Sequence, residues 1–319
     1  MLFCVSLPLI SQLGLGGTAG FSSATDSLYV RIEKAWPFSF TPSVATDGKR
    51  AYAATREGVY AVSRDAVQAT LLRTPFPVKA VRCYGGVVYA LLEGREGISA
   101  FRGIGPDTTQ IEKGTYPSDA NCMDIAFSGS YGFIAGGEEG LIVISLADPL
   151  FPQDVAYFDT PGYAQAIDIS GNYAALADGE SGVFLLDISN PRAPKLINRY
   201  DTKGLASGVA IGGKYVFVAD GKEGLAILDF SRADPLVGQF KTKGFSKAVR
   251  FSGRYVYLAD GNGGLRIIDV SDPANPIERG YYDTAGFTSD LALALPLVYV
   301  ADGQYGLLIM ENMLLKHFK

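Results

Sequence analysis

Ala177-Asp178-Gly179-Glu180-Ser181-Gly182-Val183-Phe184-Leu185-Leu186-Asp187-Ile188-Ser189-Asn190-Pro191 decides the fold. A turn built from Asp and Gly leads into a short run that is apolar along almost its whole length, and Ser-Asn-Pro stops it. Such a run fits a strand covered on both faces, because an amphipathic helix would need a longer, 3.6-periodic pattern. Working outward, Ala166–Ile169 and Tyr173–Ala177 precede it as two further short strands, and Lys195–Tyr200 follows as a fourth. Gly, Asp, Asn and Pro separate all four, as antiparallel turns require.

The same unit recurs. Ala-Asp-Gly stands at Ala177, Ala219, Ala259 and Ala301, with intervals of 42, 40 and 42 residues. The second glycine of the turn extends the series to Gly58, Gly97, Gly140, Gly182, Gly224, Gly264 and Gly306. Seven units of four strands at this period predict an all-β, seven-bladed β-propeller. The seventh unit runs out after Leu307–Glu311, so the N-terminal stretch Leu28–Lys34 is expected to supply its fourth strand, with Leu28–Ile32 aligned on Lys195–Arg199. That closure would hide an otherwise open sheet edge.

Leu141-Ile142-Val143-Ile144-Ser145, Leu225-Ala226-Ile227-Leu228-Asp229 and Leu265-Arg266-Ile267-Ile268-Asp269 resemble the repeat known as LVIVD, after its third strand. Ser271-Asp272-Pro273-Ala274-Asn275-Pro276 and the Asp-Thr-x-Gly elements resemble its flanks. The resemblance implies an exported or cell-surface propeller of bacteria or archaea, in a family that no catalytic residue defines.

Composition narrows the function. The chain has 319 residues, 28 Lys+Arg against 33 Asp+Glu, and a single His at position 317. This acidity argues against nucleic acid as a partner. One histidine excludes most metal and triad chemistry that relies on imidazole. Gly212-Gly213-Lys214 lacks the spacing of a phosphate loop, and no nucleophile elbow, zinc pattern or dinucleotide fingerprint occurs. No cofactor and no metal site is expected. Residues 1–24 read as a signal-peptide-like leader without a basic start, and residues 25–319 as one propeller domain with no membrane span. The expected location is therefore the periplasm, cell surface or extracellular space.

Two groups of residues carry the candidate site. Along the first strand of each unit one parity is apolar (Val44, Val81, Ile125, Ile167, Val209, Val249, Leu291) and is expected between blades. The other parity should face the axis, which makes Arg82, Asp124, Asp168, Arg250 and Asp290 channel-lining candidates. Phe76, Tyr163, Phe245, Phe287 and Lys247, on or beside the crossovers between blades, are the binding-rim candidates. The leading functional expectation is a non-catalytic scaffold that binds an envelope or extracellular protein. The alternatives are an enzyme acting on a glycan or small acidic ligand through the channel Asp and Arg, and a cytoplasmic interaction adapter.

Overall fold

A computed structural model describes residues 27–63, 69–104 and 110–317. The leader expected at 1–24 lies outside the described residues. Seven antiparallel sheets follow one another around an axis, six of four strands and one, blade 6, with a fifth short strand on its outer edge. In blade 4 the strands are Ala166–Ser170, Tyr173–Ala177, Val183–Asp187 and Lys195–Tyr200, from the axis outward. Among the described residues no helix is long and apolar enough to cross a membrane.

The core is divided among the blade interfaces. Val44, Val81, Ile125, Ile167, Val209, Val249 and Leu291 are all buried, and each sits in a different one of seven apolar clusters. Each cluster joins neighbouring blades, as Ile167 does with Phe133 and Val143 of blade 3. A blade alone would leave two such faces in water, so the ring is the smallest unit that buries them all.

Blade 7 is closed from the N-terminus. Val30–Trp36 pairs antiparallel with Leu307–Asn312 and completes the sheet begun by Asp290–Ala294 and Leu297–Ala301. The ladder slips by one residue between Ile32 and Lys34, leaving Glu33 unpaired. The outer strands of blades 3–6 carry the same bulge, at Val155, Ile197, Val237 and Arg279. The N-terminal strand is therefore a true fourth strand, but its register differs from the expected one. Glu33, rather than Val30, occupies the place of Ile197, a shift of three residues. The physical cause is Tyr29, whose φ of 55° turns the chain before the strand. Ser27–Leu28 consequently leaves blade 7 and pairs with Tyr282 and Tyr281 on the outer strand of blade 6. The N-terminus thus ties two blades together.

Aspartates of the Asp-Gly-x-x-Gly turns reinforce this ring. Asp178 accepts from Thr160 Oγ1 at 2.7 Å and from the Gly162 N–H at 2.8 Å. Asp220 does the same with Thr202 and Gly204, and Asp260 with Thr242 and Gly244. The threonine and glycine belong to the crossover that enters the blade, Asp-Thr-x-Gly for Asp178 and Asp220 and Lys241-Thr242-Lys243-Gly244 for Asp260, so the carboxylate clamps crossover to hairpin. Burial pushes the carboxyl groups of Asp178, Asp220 and Asp302 above the ordinary aspartate range, while the donated hydrogen bonds hold them down.

Candidate binding site: an axial channel divided by ion pairs

The innermost strands surround a channel in which side chains stand in tiers. Taking the buried apolar residue of each inner strand as reference, the residues on either side of it face the axis. Small side chains dominate these tiers, among them Ser43, Ala45, Ala80, Ala126, Ala166, Gly208, Ala210, Ala248 and Ala292. The five expected charged residues are set among them, and the fold brings four into direct contact.

Arg82 Nε lies 2.9 Å from Asp124 Oδ1, and its Nη1 lies 2.8 Å from Asp290 Oδ2. Arg250 Nη2 approaches the other oxygen of Asp290 at 2.9 Å. Ser43 Oγ donates to Asp290 at 2.6 Å, while the guanidinium groups also donate to the Val81 and Val249 carbonyls. Two cations and two anions, contributed by blades 2, 3, 6 and 7, therefore form a neutral belt across the channel. Desolvation opposes the charge on Asp290, but the two arginines and the Ser43 hydroxyl hold its carboxyl below the ordinary aspartate range. Conversely, the two carboxylates outweigh desolvation and raise the Arg82 guanidinium.

Asp168 stands apart from these ion pairs. Its Oδ2 accepts from the Ile211 N–H at 2.7 Å. Burial raises its carboxyl above the ordinary range, and the negative charge of Asp124 adds to the shift against the pull of Ile211 and Arg250.

The belt separates two vestibules. On the side of the third-to-fourth strand connections, a cavity of about 400 Å³ is lined by Cys83, Tyr84, Phe127, Asp168, Phe251 and Leu293. On the crossover side, a cavity of about 310 Å³ is lined by Phe40, Lys79, Met123, Gln165, Lys247 and Phe287, with Arg82, Arg250, Asp124 and Asp290 as its floor.

The rim candidates occupy the crossover side unequally. Phe76 is 42 % exposed and Phe287 38 % exposed. Tyr163 and Phe245 are half-buried, because each rests on a hairpin glycine of the preceding blade. Gly261, beneath Phe287, shows why glycine is needed there. Its φ is +57°, and a Cβ would come within 2.8 Å of the ring. Two residues escaped the sequence reading. Phe40 is 48 % exposed and lines the vestibule, whereas Phe38, which the crossover pattern favours, is buried between Trp36 and Tyr60. Lys79 and Lys247 each stand two residues before the buried apolar residue of their inner strand, Val81 and Val249. A ring of residues at that offset, Pro42, Lys79, Met123, Gln165, Ser207, Lys247 and Ser289, faces the vestibule. Strand alternation alone does not predict this, because most of these residues lie ahead of the regular ladder, where the chain still splays from the crossover.

Comparison with known proteins agrees with this architecture. The LVIVD repeat model matches residues 120–160, 161–202, 203–235 and 243–284, which correspond to blades 3, 4, 5 and 6. No curated protein matches the chain. Among solved structures, the RRP9 WD40 repeats superpose with a TM-score of 0.70 at 11 % identity, covering 91 % of this chain and 98 % of that one. U3-55K gives 0.70 at 12 % identity, covering 91 % and 99 %. The computationally designed Ika8 protein gives 0.66 at 9 % identity, covering 88 % and 98 %. Identities this low show a shared fold alone.

Proposed function

We propose a function on one premise: the chain is a seven-bladed β-propeller of the LVIVD-repeat family. It is a non-catalytic binding scaffold of the cell envelope or the space outside it, and its crossover rim receives a protein partner. The observation that carries this reading is the rim itself, where Phe40, Phe76 and Phe287 are exposed around one mouth of the channel. Aromatic side chains that offer large area at low entropic cost are typical anchors of protein interfaces. The opposite rim instead presents connections such as Ser189-Asn190-Pro191-Arg192-Ala193-Pro194, stiffened by proline.

The channel favours binding over catalysis for a specific reason. Arg82, Arg250, Asp124 and Asp290 neutralise one another, so none is poised as a free acid, base or nucleophile. The leader composition supports export.

Site-specific photo-crosslinking in the native host tests both parts. A crosslinking residue at Phe76 or Phe287 should trap one discrete partner in the envelope or extracellular fraction, while one at Arg192 should not. Equal crosslinking from both rims, or recovery of the protein solely in the cytoplasm, would overturn the reading.

A further inference from the structure

We propose that the crossover-side vestibule is a binding site for a small organic carboxylate, held by Lys247 and Lys79 with its apolar body against Phe40, Met123 and Phe287. This site goes beyond the rim's protein-binding role and does not depend on it.

Charge favours an anion here. Although the chain as a whole is acidic, this vestibule holds four cations, Lys79, Lys247, Arg82 and Arg250, against two carboxylates, Asp124 and Asp290. Both carboxylates are already engaged by the arginines. The lysines are what remains. Lys247 Nζ makes its one described hydrogen bond to Gln165 Oε1, at 3.4 Å, reaching from blade 6 to blade 4. Lys79 Nζ donates to Asn121 Oδ1 and to the Gly94 carbonyl, and Asn121 in turn donates to Tyr163 Oη. Neither ammonium forms an ion pair with a carboxylate among the described residues. Burial lowers both ammonium groups, and for Lys247 nothing offsets it. A half-buried ammonium without a counterion carries part of its desolvation cost unpaired, and an incoming anion offsets it.

The wall favours an apolar body. Phe40, Pro42, Ala80, Met123, Ala166 and Phe287 supply apolar surface to the lining, and the exposed surface of the cavity is mostly apolar. A bare phosphate is best held by a nest of converging backbone N–H groups, whereas this cavity offers two ammonium groups and a mostly apolar surround. A cavity of about 310 Å³ whose exposed surface is mostly apolar suits a compact molecule with one anionic end and a flat apolar body. The neutral belt gives the site a floor.

Fluorine NMR tests this with para-fluorobenzoate as the probe and para-fluorobenzamide as its uncharged counterpart, using the purified protein without any partner. The benzoate should bind saturably and the amide at least about tenfold more weakly, in keeping with a charge-assisted hydrogen bond. Lys247→Met should weaken the benzoate by about tenfold, Lys247→Arg should retain it, and Lys203→Met, at an exposed crossover position, should leave it unchanged. Unchanged urea midpoints would separate lost binding from lost folding. Absence of saturable benzoate binding, equal binding of benzoate and benzamide, or full affinity in Lys247→Met would each overturn the proposal. Displacement by inorganic phosphate at lower concentration than by unlabelled benzoate would overturn the carboxylate assignment. Because no partner is present, these outcomes are independent of the rim's fate in crosslinking.

Discussion

Arg82→Met is the sharpest perturbation of the channel. In the wild type, Arg82 bonds Asp124, Asp290, Ser43 and the Val81 carbonyl. Its removal leaves Asp290 with Arg250 and Ser43, but leaves Asp124 with backbone N–H donors alone, at 2.9 Å from Ile125 and 3.3 Å from Ile167. Stranding one member of a buried pair costs about 3–5 kcal/mol. The Arg82 side chain is 19 % exposed between two water-accessible vestibules, so the lower end, about 3 kcal/mol, is expected. For a domain this large that corresponds to a fall in Tm of about 6 °C. The double variant Arg82→Met, Asp124→Asn removes the stranded charge together with its partner and should cost about 1 kcal/mol, about 2 kcal/mol less than the single variant. Urea unfolding at pH 7 measures each variant, with an unchanged slope confirming that the same surface is exposed. A single variant within about 1 kcal/mol of wild type, or a double variant no more stable than the single, would refute the belt as a mutually dependent unit.

A chain beginning at Ser27 should melt like the full chain, whereas one beginning at Pro37 should lose much of its stability. Trp36→Ala, which deletes the largest buried side chain of the closing strand, should alone cost about 3–5 kcal/mol in urea unfolding. Acid will weaken the fold through Asp229, held at about 2 by Lys214 and Ser231, and Asp269, held at about 2 by Arg254 and Ser271 against burial. Both lie below the unfolded value, so their contribution is complete above about pH 4 and is lost as pH falls towards 2. Replacing both with Asn should flatten the stability curve there, and an unchanged slope would contradict this. Cys83 and Cys122 are unbridged, and burial pushes the Cys83 thiol up to about 12 and also raises Cys122. Alkylation at pH 8 should therefore be slow in the native protein and reach both thiols after unfolding without reductant; a requirement for reductant would count against free thiols.

The repeat made the fold legible because every blade restates the same pattern. Tyr173–Ala177 and Lys195–Tyr200 stand where turn residues put them. The assignment of Val44 and its equivalents to blade interfaces follows from strand alternation and burial. What escaped was geometry that no repeat encodes. Tyr29 turns the chain through a single positive φ, and this shifted the closing strand by three residues. Asp178 reaches out of its own turn to a threonine eighteen residues earlier. The clue lay in the pairing of Asp-Thr-x-Gly with Asp-Gly-x-x-Gly in successive copies. In the channel, Arg82, Asp124, Arg250 and Asp290 could be placed at the axis by parity, but their partners depend on side-chain reach across a ring. Lys79 was invisible to parity because it sits at a break in the ladder, between the paired residues Val78 and Ala80.

The belt also determines how the two mouths can be used. A channel lined uniformly would admit the same solutes from either end. Here Arg82, Asp124, Arg250 and Asp290 cross it with paired charges whose separation would be costly. Each vestibule therefore ends in a fixed polar floor, and the chemistry above that floor differs. The crossover side adds Lys79 and Lys247, while the opposite side adds Asp168, an acidic group whose carboxyl burial raises above the ordinary aspartate range. An anion gains from the first and gains nothing comparable from the second. Because the four charged residues come from blades 2, 3, 6 and 7, the floor forms only when the ring is closed. The strand Val30–Trp36 that closes blade 7 is thus also a condition for the site. Loosening it should weaken para-fluorobenzoate binding before the blades themselves unfold, and binding that persists in a chain beginning at Pro37 would break this link between closure and site.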